Sequence, residues 1–140
     1  MANEARVVLQ TVEPHGERFA AHMDAGSVVA FDGHAGPEAA SPVQILLAAL
    51  GACAGIDVLS ILRKKRKEVT GYEVVVQGER RQEHPRIFTR IEVVHRLRGR
   101  DLDPGAVEEA VRLSDTRYCT VHGMLGGTAE IVSRIEIEPV

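Results

Sequence analysis

The stretch SPVQILLAALGACAGID, residues 41–57, limits the folds that this 140-residue chain can adopt. It predicts a long helix that runs on to residue 67, because Ser41 is a good N-cap and Pro42 suits the first helical position. From Val43 to Ile56 the only strongly polar residue is Gln44. A helix that is apolar on nearly every side is either buried in a core or inserted in a membrane. The uncharged run of about 14 residues is too short to span a bilayer, so we expect a buried central helix and no membrane partner.

Length and composition indicate one ordinary domain covering residues 1–140. Hydrophobic residues make up 44% of the chain, charged residues 26%, and the net charge is −3. No basic face dominates, so the composition gives no support for a nucleic-acid partner. The first six residues carry an early acid and no apolar stretch like that of a signal peptide, so we expect a cytoplasmic protein.

Strand patterns lie on both sides of the helix. His95 falls on the apolar face of a strand with clean alternation, where we expect a core histidine rather than a ligand. Asp103 and Pro104 open a second helix with N-cap and proline in order. The order predicts an α+β fold with antiparallel sheet and helices gathered on one side. The predicted strands are residues 5–12, 18–22, 27–31, 72–80, 88–98 and 130–137.

Two cysteines, Cys53 and Cys119, lie 66 positions apart. In a reducing compartment they are either inert core residues or a redox pair, since a structural disulfide is not expected there. No CxxC or HxxxH spacing is present, so we predict no metal site and no cofactor. Cys119 follows the second helix where a break in the chain would expose free N–H groups, which favour a thiolate. Residue types alone leave both interpretations of the pair open.

The motif SPxQxLLAALGAC at residues 41–53, followed by DVLxILxKxR at 57–66, resembles the first-cysteine helix of the OsmC/Ohr superfamily. These are the osmotically induced and organic hydroperoxide resistance proteins. The resemblance covers essentially the chain from residue 32 onward and is closer to the general OsmC-like branch than to Ohr proper. Four further blocks continue it in order: GYxV at 71–74, FTxI at 88–91, GxxL at 99–102 and VxLSxxxYCxV at 111–121.

The resemblance implies an OsmC-like α+β fold in which antiparallel sheets pack around a long buried central helix and a second helix. It also implies an intertwined homodimer with two sites at the interface. In the peroxidase branches, the cysteine that matches Cys53 attacks an organic hydroperoxide, and the one that matches Cys119 resolves it as an intramolecular disulfide. A thiol reductant, either a small dithiol or a dithiol protein, then restores the enzyme.

The residues that support the reactive thiolate differ from the family pattern. The resemblance implies an N-terminal arginine, for which Arg18 is the candidate, and a glutamate directly after the helix-start proline. That position holds Val43, and the nearest polar residue is Gln44, while Arg117 beside Cys119 is a second candidate cation. We therefore expect a two-cysteine peroxidase in oxidative-stress defence. The alternative hypothesis is a non-catalytic dimer that binds a small apolar ligand.

Overall fold

The computed structural model describes residues 3–11 and 13–139, and its mixture of helices and two small sheets confirms the predicted α+β class. The chain divides into two compact units, with the boundary between Leu46 and Leu47. The single domain expected from the length of the chain stays a prediction. The elements in chain order are β1 (Ala5–Leu9), β2 (Arg18–Met23), β3 (Val28–Asp32), α1 (Pro42–Lys64), β4 (Glu68–Arg80), β5 (Phe88–Arg100), α2 (Pro104–Leu113), a π-helical segment (Ser114–Tyr118), α3 (Thr120–Leu125) and β6 (Glu130–Glu138).

The first unit contains a three-stranded antiparallel sheet in the order β1-β2-β3. Ala21 pairs with Val7 on one side and with Val29 on the other. The second and third predicted strands match β2 and β3 closely. The first strand was expected over residues 5–12, but β1 ends at Leu9, and position 12 lies outside the described residues.

The second unit contains a sheet in the order β4-β5-β6, and this sheet is mixed. β4 and β5 are antiparallel, whereas β6 pairs parallel to β5, with Ile91 opposite Ile131 and His95 opposite Ile135. The sequence-based expectation of purely antiparallel sheets is therefore wrong for β6. The reason is the connection through α2 and α3, which carries the chain back so that β6 starts at the same end as β5.

Helix α1 buries one face in the core of the second unit. Its buried residues past the boundary include Val58 and Leu62, which pack with α2 and β5 residues such as Val107 and Leu97. The opposite face is exposed in this chain, where Ile56 keeps 69% of its surface accessible. By length and composition alone α1 could cross a membrane, but its buried face identifies it as a core helix of the fold. Nothing in residues 3–11 and 13–139 therefore indicates a membrane protein.

Two glycines that flank Cys53 bring α1 close to β4. A Cβ atom added at Gly51 would lie 2.9 Å from Val76 Cγ2, and one added at Gly55 would lie 3.4 Å from Val74 Cγ2. The absence of side chains at these two positions lets the helix and strand approach closely. The small residues around Cys53 therefore serve helix–sheet packing.

Candidate functional site

The fold brings the two cysteines together with one carboxylate. The sulfur atoms of Cys53 and Cys119 and a carboxylate oxygen of Asp57 all lie within 4.8 Å of one another. Both cysteines are free thiols. We refer to Cys53, Asp57 and Cys119 as the dithiol–carboxylate cluster.

Helix α1 supplies two members of this cluster. Cys53 and Asp57 are four residues apart, so their side chains lie on one helical face, one turn from each other. Asp57 Oδ2 accepts a hydrogen bond of 3.0 Å from the hydroxyl of Ser114, which is itself buried. That bond fixes the orientation of the carboxylate next to the sulfurs.

The π-helical segment places the third member. Its wider turn is closed by a 2.8 Å hydrogen bond that the Cys119 N–H donates to the Ser114 carbonyl. Cys119 then leaves helical geometry, with φ −72° and ψ 105°, and caps α3, where its sulfur accepts a 3.4 Å hydrogen bond from the backbone N–H of His122. The break in the chain expected from the sequence at Cys119 is thus present, and it aims one N–H group at the sulfur. Single-turn π segments occur often at functional sites.

The two thiols differ in their surroundings. Cys119 is only 5% exposed, whereas Cys53 is partly exposed. Burial raises the pKa of the Cys119 thiol to about 11, with smaller contributions from the neighbouring Cys53 thiol and from the charge of Asp57. The N–H group of His122 acts in the opposite direction. Cys119 is therefore a neutral thiol near pH 7, and Cys53 is the sulfur more open to an incoming molecule.

Tyr72 and His95 form a hydrogen-bonded pair near the carboxylates of Asp57 and Asp115. The Tyr72 hydroxyl is 2.6 Å from His95 Nδ1, and His95 is fully buried, as expected for a core histidine. Burial lowers the pKa of His95. Burial, followed by the charges of Asp115 and Asp57, raises the pKa of Tyr72. Both side chains are therefore uncharged near neutral pH.

Two of the predicted supporting residues lie in the first unit. The guanidinium of Arg18 pairs with Glu38 at 3.1 Å and with Asp32 at 3.4 Å. Gln44 forms a capping box with Ser41, since its side-chain oxygen accepts from the Ser41 N–H at 3.0 Å and its own N–H donates to the Ser41 hydroxyl at 3.2 Å. The observed contacts of Gln44 are those of a helix cap.

The third predicted supporting residue, Arg117, is exposed on the π-helical segment. Its guanidinium carbon lies 5.5 Å from the centroid of the Tyr118 ring. Within the described part of the chain it makes no hydrogen bond to either sulfur. Asp57 is the one member of the dithiol–carboxylate cluster that was not predicted from the sequence. The sequence feature that could have indicated it is an acid about one helical turn after Cys53, in a stretch that is otherwise uncharged.

Comparisons with known proteins match the chain to one protein family and to solved structures of the same fold. The sequence profile of a family described as OsmC-like protein matches residues 33–134. Protein YhfA of Escherichia coli strain K12 is 41% identical over 122 residues, which cover 87% of this chain and 91% of that protein. A crystal structure of a hypothetical protein from Aquifex aeolicus VF5 has 29% identity and a TM-score of 0.87 over 100% of this chain and 98% of that one. The organic hydroperoxide resistance protein OhrB of Bacillus subtilis has 20% identity and a TM-score of 0.62, over 95% of this chain and 98% of its own, and so shares the fold.

Proposed function

Because this chain belongs to the OsmC-like protein family, we propose that it is a thiol peroxidase that reduces organic hydroperoxides. The observation that supports this proposal most directly is the cluster of two free sulfurs within 4.8 Å of each other. A protein of the same fold, OhrB, is named for organic hydroperoxide resistance, and that name motivates the substrate class. Cys53 acts as the attacking thiol and Cys119 as the resolving thiol.

In the first step, the thiolate of Cys53 attacks the terminal oxygen of the hydroperoxide. An S–O bond forms and the O–O bond breaks, which leaves Cys53 as a sulfenic acid and releases an alkoxide that takes up a proton to become the alcohol. The assignment of this role to Cys53 follows from exposure, since Cys119 is almost fully buried.

In the second step, Cys119 attacks the sulfenic acid of Cys53. The S–S bond forms, the S–O bond breaks, and the hydroxide that leaves combines with the proton of Cys119 to form water. Because burial keeps the pKa of Cys119 near 11, this proton needs an acceptor. We assign that role to the carboxylate of Asp57, which the Ser114 hydroxyl holds in place. A small dithiol or a dithiol protein then supplies two electrons and two protons to reduce the disulfide.

We further propose that the protein works as a cytoplasmic homodimer of single-domain protomers, in which the intertwined arrangement implied by the resemblance completes each site. Members of the OsmC/Ohr family are typically dimeric. The exposed apolar side chain of Ile56 on α1 is the kind of surface that a second protomer would cover. Arg18 and Arg117 remain candidates for a supporting cation in this assembly.

The second candidate function is that of a non-catalytic dimer that binds a small apolar ligand. Val43 motivates it, because the resemblance implies a glutamate at this position in the peroxidase branches, whereas this chain has valine. This alternative predicts that the purified protein carries a bound apolar molecule and that Cys53→Ser leaves its cellular role intact. Native mass spectrometry that detects only an empty protein would argue against it.

The deciding experiment adds one equivalent of cumene hydroperoxide to the fully reduced protein. We expect both free thiols to disappear, with a Cys53–Cys119 disulfide identified by peptide mass spectrometry. Cys119→Ser should stop at the sulfenic acid of Cys53, which dimedone traps, and Cys53→Ser should consume no peroxide. Unchanged thiols and no peroxide loss in the folded wild-type protein would refute the peroxidase proposal.

A further inference from the structure

We propose that the reduced dithiol–carboxylate cluster is a binding site for Zn²⁺, which occupies the same two sulfurs that the peroxidase reaction uses. The proposal rests on the arrangement of Cys53, Asp57 and Cys119, whose ligand atoms lie within 4.8 Å of one another. It goes beyond the proposed reaction, in which the metal has no role.

The spacing of the three ligand atoms matches what a tetrahedral zinc ion requires. Zn–S bonds of about 2.3 Å and Zn–O bonds of about 2.0–2.2 Å place neighbouring ligand atoms roughly 3.4–3.8 Å apart. Atoms that already lie within 4.8 Å need only small side-chain rotations to reach that separation. Cys53 and Asp57 are also one helical turn apart, the same i, i+4 spacing that lets two side chains of one helix chelate a metal.

The chemistry of the three donors favours zinc among the common divalent ions. Two thiolates are soft ligands that select zinc over magnesium or calcium, and a carboxylate completes a Cys₂Asp set. These three ligands leave a fourth position open for water. Coordination of a cysteine as thiolate displaces the proton of its thiol, so metal binding releases protons.

Outer-shell hydrogen bonds already orient two of the three ligands. The Ser114 hydroxyl donates to Asp57 at 3.0 Å, and the His122 N–H donates to the Cys119 sulfur at 3.4 Å. Such partners fix ligand orientation in metal sites, and their loss typically weakens metal affinity about 10- to 100-fold. The site therefore has both a ligand set and a supporting shell.

Metal binding and disulfide formation exclude each other at these sulfurs. Coordination to zinc takes one lone pair of each thiolate, which lowers the reactivity of the sulfur towards a peroxide without abolishing it. If the proposed peroxidase reaction holds, a hydroperoxide and two protons convert the two thiolates to a disulfide, an alcohol and water, and the zinc ion leaves because both sulfur ligands are lost. The cluster would then release zinc in response to organic hydroperoxide.

The test uses Co²⁺ as a spectroscopic probe for zinc, added without oxygen or peroxide to the reduced full-length protein. We expect one Co²⁺ per chain, with sulfur-to-cobalt charge-transfer bands and intense tetrahedral ligand-field bands that Zn²⁺ abolishes. Cys53→Ser and Cys119→Ser should each weaken binding at least 100-fold, and Asp57→Asn about 10-fold. Glu108→Gln, which removes an exposed carboxylate of α2 outside the cluster, should bind like the wild type.

A second measurement covers the case in which a serine variant does not fold. In the wild-type protein, Zn²⁺ should slow the alkylation of both cysteines by iodoacetamide by at least 10-fold. The absence of sulfur-to-cobalt bands together with unchanged alkylation would overturn the proposal. Because no peroxide is present, that result leaves the peroxidase proposal standing, and a protein without peroxidase activity that still binds Co²⁺ leaves the zinc site standing.

Discussion

At the scale of single residues, Asp57 is the side chain that most changes the interpretation of the site. Val43 occupies the position where the resemblance implies a glutamate, yet the carboxylate of Asp57 lies within 4.8 Å of both sulfurs. It comes from a position one turn beyond Cys53 and is held by Ser114. The valine at position 43 therefore does not leave the cluster without an acidic group.

We predict that Asp57→Asn slows the conversion of the Cys53 sulfenic acid to the disulfide by about 100-fold, since general-base catalysis typically contributes about 10²–10⁴-fold. In this variant the rate should rise with pH, tenfold per unit, because the thiolate fraction of Cys119 increases until the pH approaches its pKa of about 11. Dimedone trapping after timed quenching measures the sulfenic acid that remains.

The same substitution removes one of the charges that raise the pKa of Cys119, an effect that would by itself speed the step. A net decrease in rate therefore reports the loss of the base. Glu108→Gln is the charge-matched control and should react like the wild type. A variant rate equal to that of the wild type, with the same pH profile, would mean that Asp57 does not accept the proton.

At the scale of elements, α1 combines two requirements that conflict at Cys53. The helix must lie close to β4, which needs small residues, and it must present a sulfur and a carboxylate at the site. Gly51 and Gly55 meet the first requirement on either side of Cys53. A glycine inside a helix lowers stability by about 0.5–1 kcal/mol relative to alanine. The close contact between α1 and β4 therefore makes the helix itself less stable.

Alanine at these two glycines should therefore have different effects on stability. At Gly55 the new Cβ would lie 3.4 Å from Val74 Cγ2, so Gly55→Ala should be neutral or raise the free energy of unfolding by up to about 1 kcal/mol. At Gly51 the new Cβ would lie 2.9 Å from Cγ2 of the stiff, β-branched Val76 side chain. Gly51→Ala should therefore lower the free energy of unfolding by about 1–3 kcal/mol. Urea unfolding of the reduced variants measures both values. Equal stability of the two variants would contradict this account of the packing.

At the scale of the whole molecule, the chain leaves apolar side chains uncovered. Ile56 on α1 and Met124 on α3 are 69% and 74% exposed. Members of the OsmC/Ohr family are typically dimeric, so a second protomer is the partner that we expect to cover these side chains.

We predict that the protein self-associates and that Ile56→Glu raises the dissociation constant of the dimer at least 10-fold, because it places a charge on a desolvated surface. Sedimentation velocity over a range of concentrations measures the constant. Gln82→Glu adds the same charge at an exposed turn position and serves as the control. A wild-type protein that sediments as a monomer at every concentration would rule out this role for Ile56.

Features that depend on residues close together in the chain could be predicted from the sequence alone. The cap at Ser41 and the proline after it fixed the start of α1, and the alternation at residues 88–98 fixed β5, because capping and periodicity act over a few residues. The two cysteines and their motif context were also visible in the chain and identified the family. The end of α1 was predicted three residues too late, since Arg66 adopts a positive φ of 60° that no local pattern requires.

Features that depend on residues far apart in the chain could be seen only in the folded protein. The parallel pairing of β5 with β6, the π-helical turn before Cys119 and the cluster with Asp57 were not predictable from periodicity. Ser114 and Asp57 are 57 positions apart, and their hydrogen bond exists because α2 and α1 pack against each other in one core. A local pattern records which face of an element is apolar, but the contacts between two such faces arise only when the core assembles.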